Sequence, residues 1–81
     1  NEEQIKRMKS RVIGEKGKTK KYIEAVSGAE ISLYGNTISG IGTLDQLNVA
    51  YSAINILLEG GTHKKAYRVM EKARKELAYK L

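Results

Sequence analysis

The segment Val12-Ile13-Gly14-Glu15-Lys16-Gly17-Lys18-Thr19 places two glycines three positions apart and continues into a run of basic residues. Apolar residues recur at helical spacing on both sides, which predicts amphipathic helices over Glu2–Ile13 and Thr19–Val26. Glycine allows the backbone to come close to another molecule, because it has no side chain. Amide groups at the start of a helix favour an anion, and the lysines add positive charge. The segment therefore predicts a phosphate-binding turn between two helices.

Two other interpretations of this segment remain open. Gly-Lys-Thr at positions 17 to 19 is also found in nucleotide-binding P-loops. That motif needs a glycine five residues before Gly17, where this chain has Val12, and a preceding strand where a helix is predicted. The simpler alternative is a turn softened by glycine, with lysines that are merely solvated.

The middle of the chain has the pattern of a β-hairpin. Ala29–Tyr34 and Thr37–Ile41 alternate apolar with small or polar residues, which predicts two strands. Gly35-Asn36 between them suits the positive backbone angles of a two-residue hairpin turn. We therefore expect two antiparallel strands after the two helices.

Two further helices are predicted towards the end of the chain. Thr43 and Gln46 have the spacing of a capping box, and an apolar stripe follows as far as Gly60-Gly61. Thr62 can cap a last helix with an apolar inner face and a basic outer face. The predicted class is α+β, in the order helix, helix, strand, strand, helix, helix.

Length and charge limit the classes of function. Eighty-one residues make one domain, and the net charge of +6 favours a polyanionic partner. Eight of the 15 Lys and Arg lie within residues 6–21 and the rest within residues 64–80, so the charge is localised. The chain has no Cys and no membrane-length apolar run, so we expect no membrane association and a cytoplasmic location. It begins with Asn1 and no Met, which suggests a piece of a longer protein.

Residues that could support catalysis or bind a metal are scarce. The chain has one histidine, His63, and one aspartate, Asp45, with no cysteine, so no metal site of the usual ligand number and no catalytic triad can be built. We predict no enzyme activity and no cofactor. We interpret His63 as a solvated residue at a helix start, with a phosphate contact as the alternative. Tyr34, at the end of the hairpin, is the tyrosine best placed to stack on a base.

The glycine segment and the element order together resemble a known family. An apolar pair before Gly-x-x-Gly, a second helix, a hairpin and a third helix are similar to the eukaryotic-type KH domain over Ile5 to Leu58. The resemblance implies a backbone clamp for about four nucleotides of single-stranded nucleic acid, beside an apolar groove. The groove would be lined by Val12, position 20, Ile31 and Leu33, and Lys20 makes it more polar than in many KH domains. Plain core packing is the alternative for the apolar residues, Ile31 and Leu33 above all. The full set of implied RNA-binding residues is Arg11, Val12, Ile13, Gly14, Glu15, Lys16, Gly17, Lys18, Lys20, Lys21, Ile31 and Leu33.

A narrower resemblance concerns the second KH domain of the partner-of-Nob family of small-subunit ribosome assembly factors. It is carried by residues 11–20, by Ile23-Glu24 and by residues 34–42, and the Krr-type pre-ribosomal factors are similar. The resemblance implies binding to small-subunit ribosomal RNA, in this family near its 3′ end. It also implies protein partners of the assembly pathway.

KH domains of this kind begin with a strand that pairs with the second strand of the hairpin. No strand-like segment precedes the first helix here, so we expect a KH unit over residues 1–61 without its first strand, and a packed basic helix over residues 62–81. An unpaired strand is a template for another chain, so we expect either self-association or pairing with a strand from elsewhere at the edge of residues 37–41. The alternative function is a protein-interaction module that uses this edge.

Overall fold

The computed structural model describes residues 2–35 and 37–80, apart from the side chain of Lys80. The helices are α1 (Glu2–Ile13), α2 (Lys18–Ser27), α3 (Leu44–Leu58) and α4 (His63–Lys80), and the strands are β1 (Glu30–Tyr34) and β2 (Thr37–Ile41). A short 3-10 turn, Glu15–Gly17, separates α1 from α2. The predicted α+β class and element order are confirmed.

Local signals in the sequence fix most helix ends. The Thr43 hydroxyl accepts a hydrogen bond from the Gln46 amide at 3.2 Å, and the Gln46 side chain accepts one from the Thr43 amide at 2.8 Å. This is the predicted capping box. The Thr62 hydroxyl accepts from the Lys65 amide at 3.1 Å at the start of α4. Gly28 ends α2 in the left-handed conformation, with φ of 80°.

The described residues form one two-stranded antiparallel sheet. Leu33 lies opposite Ile38, and Tyr34 lies opposite Thr37. Gly35 has φ of 58°, as the predicted turn requires, whereas Asn36 lies outside the described residues. β2 pairs with β1 on one side only, and Ile41 at its end is 68% exposed.

One apolar core is shared by all four helices and by β1. Its largest fully buried side chains are Val12, Ile23, Val49, Ile54, Leu57 and Met70. α4 contributes Ala66 and Met70, both completely buried, so the last helix is part of this core. The division into units at residue 61 stays a prediction. Within residues 2–35 and 37–80, no helix combines the length and apolarity needed to cross a membrane.

Candidate nucleic-acid interface

The loop between α1 and α2 has an unusual backbone. Gly14 has φ of 75° and ψ of 174°, a region open essentially to glycine alone. Lys16 and Gly17 both adopt left-handed conformations, with φ of 56° and 75°. Lys16 is the one non-glycine residue of the described chain with positive φ. The turn is therefore held in a conformation that costs energy, as is common at ligand-binding sites.

The packing of Gly14 explains why no side chain fits there. A Cβ atom on Gly14 would lie 2.6 Å from the Thr19 Cβ and 2.9 Å from the Thr19 amide nitrogen. Gly17 differs, since a Cβ there would meet nothing within 4 Å. The first glycine therefore allows close packing of the loop on α2, and the second supplies only the left-handed turn.

Thr19 connects this loop to α4. Its side chain is 5% exposed, and its hydroxyl accepts a hydrogen bond from the Tyr67 hydroxyl at 3.3 Å. Sequence reasoning did not select Thr19, although a threonine in the first turn after the glycines was visible. Its contact with Tyr67 spans 48 positions, which no local pattern indicates.

The basic side chains around the loop are mostly free of partners. Lys16, Lys18 and Lys21 are exposed, and Glu15 is the acidic neighbour among them. Within the described part of the chain, the ion pair that forms is Lys20 Nζ with Glu24 Oε2, at 3.3 Å. The loop therefore presents unpaired positive charge beside two half-buried glycines.

Lys20 is held by a contact network at the start of the sheet. Glu24 Oε2 also accepts a hydrogen bond from the backbone amide of Ile31 at 2.8 Å. Glu24 thus links Lys20 on α2 to the backbone of β1. The spacing of four residues predicts the ion pair, but the bond to Ile31 requires the tertiary fold.

The predicted groove residues divide into two groups. Val12 is fully buried and Ile31 is 3% exposed, so their side chains pack in the core and offer a base almost no surface. Ile13 and Leu33 are half-buried and retain accessible apolar surface. Ile13, Lys20 and Leu33 therefore keep accessible surface, whereas Val12 and Ile31 pack in the core.

Arg11 has structural partners. Its guanidinium donates hydrogen bonds to the carbonyl of Leu57 at 3.1 Å and to the carbonyl of Gly61. These carbonyls lie in the last turn of α3 and in the segment between α3 and α4, so Arg11 ties the end of α1 to this connection. His63 Nε2 lies 3.0 Å from the Arg11 carbonyl oxygen. The guanidinium of Arg11 is therefore directed away from the glycine loop.

α2 and α4 are also joined by a hydrogen bond between Tyr22 and Glu71. The Tyr22 hydroxyl donates a hydrogen bond to Glu71 Oε1 at 2.7 Å. This bond raises the pKa of Tyr22 above its usual value, and partial burial acts in the same direction. The Tyr22 and Tyr67 rings lie 4.6 Å apart at 59°. Among residues 2–35 and 37–80, no group of His, Cys, Asp or Glu could hold a metal ion.

Comparison with known families identifies this arrangement. Residues 1–75 match the model of the second KH domain of partner-of-Nob proteins, described as a eukaryotic type KH-domain (KH-domain type I). The chain belongs to this family. In KH domains the Gly-x-x-Gly loop clamps the backbone of about four nucleotides. Gly14 and Gly17 occupy the two glycine positions of that loop.

Three proteins of known sequence or structure are similar to this one. A KH domain-containing protein of Methanocaldococcus jannaschii is 41% identical over 73 residues, which cover 90% of this chain and 32% of that relative. Dim2p of Pyrococcus horikoshii, solved in a complex with a/eIF2α and rRNA, has a TM-score of 0.85 at 40% identity. The match covers 89% of this chain and 41% of that one. A protein of unknown function from Aeropyrum pernix has a TM-score of 0.91 at 31% identity, over 99% of this chain and 42% of its own.

This KH domain corresponds to only part of those proteins. It spans about a third of the length of the curated relative and about two fifths of the two structures. The family match ends at residue 75, within α4. Most of the basic last helix therefore lies inside the region that matches.

Proposed function

We propose that this chain binds single-stranded RNA by holding the RNA backbone on the loop of residues 14–17. The observation that carries the proposal is the Gly14 backbone, packed on Thr19 in a conformation that only glycine adopts readily. With Lys16 and Gly17 left-handed, the loop makes a tight turn whose half-buried glycines lie beside lysines that form no ion pair. Family membership supports the proposal, because KH loops of this type clamp RNA.

The proposed contact residues follow from the exposure of each side chain. We assign direct contact to the exposed or half-buried members of the predicted set, which are Ile13, Gly14, Glu15, Lys16, Gly17, Lys18, Lys20, Lys21 and Leu33. Val12 and Ile31 would act from the core, by positioning the loop and β1. Arg11 would act by holding the end of α3.

The RNA that we propose is small-subunit ribosomal RNA during ribosome assembly, with assembly proteins as further partners. Two comparisons support this, the partner-of-Nob family match and the likeness to Dim2p in its complex with rRNA. A cytoplasmic site of action is part of the same proposal, and the absence of cysteine is compatible with such a reducing compartment.

A charge-reversal variant of the loop tests the clamp. Glu15→Asp with Lys16→Asp puts two carboxylates where phosphates should lie, and aspartate tolerates the left-handed conformation of residue 16. Glu15→Asn with Lys16→Asn is the matched control, since it has similar shape without charge. Fluorescence anisotropy with a short single-stranded RNA should show loss of binding for the aspartate variant and retained binding for the asparagine variant. Equal binding by both variants would contradict the proposal.

A second candidate function is supported by the open edge of β2. The Ile31 amide donates to Glu24 and so points away from β2. Along an antiparallel pair, residues whose backbone groups face the partner strand alternate with residues whose groups face away from it. Gly40, which lies opposite Ile31, and Ile38, two positions earlier, should therefore direct their backbone N–H and C=O groups away from β1. Next to this edge, Ile41 is 68% and Leu44 is 74% exposed.

An added strand would pair with this edge, from a second copy or from another protein. Light scattering over a concentration series should then show association that Ile41→Lys weakens. Tyr34→Lys, at another exposed apolar residue, is the control and should leave association unchanged. A single monomeric species at all concentrations would exclude self-association.

A further inference from the structure

α2 and α4 lie side by side and run in the same direction. Near the start of both helices, Tyr67 bonds to Thr19, and one turn later Glu71 bonds to Tyr22. Thr19 is also the residue on which Gly14 packs. The beginning of α4 therefore lies next to the glycine loop.

A row of basic side chains extends along α4 from this point. Lys64, Arg68, Lys72 and Lys75 follow one another at steps of four, four and three residues, so they share one face of the helix. The row is about 16 Å long at 1.5 Å per residue. All four side chains are exposed, and they line a shallow cavity together with Tyr67 and Glu71.

The charge of this row is not neutralised by the protein. None of its four basic groups forms an ion pair with any residue that the structure describes. Glu71, the one carboxylate lining the same cavity, accepts the hydrogen bond of the Tyr22 hydroxyl and keeps its negative charge. The cavity is thus lined by four basic side chains and one acidic side chain, a clear excess of positive charge on one surface.

Lys18 and Tyr22 connect the row to the loop. They lie four residues apart on α2, and Lys18 directly follows Gly17. Tyr22 is 38% exposed and contacts Tyr67 with the two rings tilted, so an aromatic surface fills the junction between the helices. We define the α2/α4 surface as Lys18, Tyr22, Lys64, Arg68, Lys72 and Lys75.

We propose that the α2/α4 surface binds the phosphate backbone of the same RNA strand beyond the nucleotides held by the glycine loop. This inference rests on the proposed function and lengthens the RNA footprint from the clamp onto α4. Cationic side chains that track a backbone, with an aromatic ring between them, are the usual means of binding single strands without base preference. Continuity with the loop favours RNA over an acidic protein as the ligand.

The test removes two charges from the surface in the full chain. A variant that carries both Arg68→Gln and Lys72→Gln is compared with a control that carries both Arg7→Gln and Arg74→Gln. The control removes the same charge from two exposed positions that line other cavities. Each protein is titrated with single-stranded RNAs of about four and about twelve nucleotides, at several salt concentrations. Circular dichroism checks that helix content is unchanged.

The inference predicts a length-dependent loss. The Arg68/Lys72 variant should bind the longer RNA about tenfold more weakly near 0.1 M salt, with a salt slope smaller by about 1.4. Its affinity for the shorter RNA should change less than about twofold, and the control variant should retain most of its affinity for both.

Other outcomes separate this inference from the clamp. Equal affinity of the Arg68/Lys72 and control variants for the longer RNA would overturn it and leave the surface available to an acidic protein. Equal weakening for short and long RNAs would also overturn it, because the effect would then be general electrostatic attraction. If the aspartate loop variant binds both RNAs normally, the clamp fails, and a selective loss in the Arg68/Lys72 variant would still support the α2/α4 surface.

Discussion

The Tyr67 hydroxyl donates a hydrogen bond to Thr19 Oγ1 at 3.3 Å, and Thr19 occupies the space that a side chain on Gly14 would need. Three elements therefore meet at one threonine, namely the glycine loop, α2 and α4. The shape of the proposed RNA clamp depends on this packing. The loop should respond to changes in α4 even though the two are distant in sequence.

The two glycines should tolerate alanine unequally. Gly14→Ala forces a Cβ into Thr19 and leaves a residue in a glycine-only region, so we expect a loss of stability of about 3 kcal/mol or more. Gly17→Ala meets no atoms and should cost about 1–2 kcal/mol, the usual penalty for a left-handed residue. Urea unfolding measures both losses. Equal losses would show that Gly14 is not packed as described.

The bond between Tyr67 and Thr19 should contribute measurably to stability. Tyr67→Phe and Thr19→Val each remove one partner, and each should lower the free energy of unfolding by about 0.5–1.5 kcal/mol. The loss in the double variant should be smaller than the sum of the two single losses by about 0.5 kcal/mol or more. Strict additivity in this thermodynamic cycle would mean that the two hydroxyls do not interact.

Arg11 should affect stability more than RNA affinity. Arg11→Met removes the donors to the Leu57 and Gly61 carbonyls, so we expect a loss of about 1.5–3 kcal/mol. Arg7→Met, at an exposed position on the same helix, is the control and should change stability by less than about 0.5 kcal/mol. RNA affinity of the Arg11 variant, measured where it is folded, should fall by less than about threefold. A larger fall with unchanged stability would place Arg11 in direct contact with RNA.

Tyr22 should lose its phenolic proton at higher pH than an ordinary tyrosine. Its bond to Glu71 raises its pKa, so the folded state holds the proton more tightly than the unfolded state. The resulting stabilisation is complete below about pH 10, the unfolded value, and is lost as the pH rises through the folded pKa. Near-ultraviolet titration should show a late phase of tyrosine ionisation that moves to lower pH in Glu71→Gln. The Glu76→Gln control should leave it in place, and a late tyrosine that persists in Glu71→Gln would refute the assignment.

The sequence was sufficient for the features that depend on neighbouring residues. The capping box of Thr43 and Gln46, the stop at Gly28 and the alternation along β1 are all local, and each is present in the structure. The glycine loop was predictable for the same reason, since its turn and its charge lie within eight residues. The order of elements then followed from these local signals.

Contacts between distant residues were beyond sequence reasoning. Val12 and Ile31 are apolar residues whose pattern suits a groove or a core equally, and only the packing of the other helices shows that both are buried. Arg11 has the positive charge expected of an RNA contact, yet it donates a hydrogen bond to the carbonyl of Leu57, 46 residues away in the sequence. Glu24 likewise gains its bond to Ile31 only after β1 folds against α2.

The most direct test of the clamp is to locate bound RNA on the folded chain. Amide chemical shifts of the labelled protein would be followed by NMR during titration with a single-stranded RNA of about four nucleotides. The clamp predicts that the largest changes fall on residues 14–20 and on Leu33, with little change along β2. Changes centred on residues 37–44, or none at the glycine loop, would contradict it.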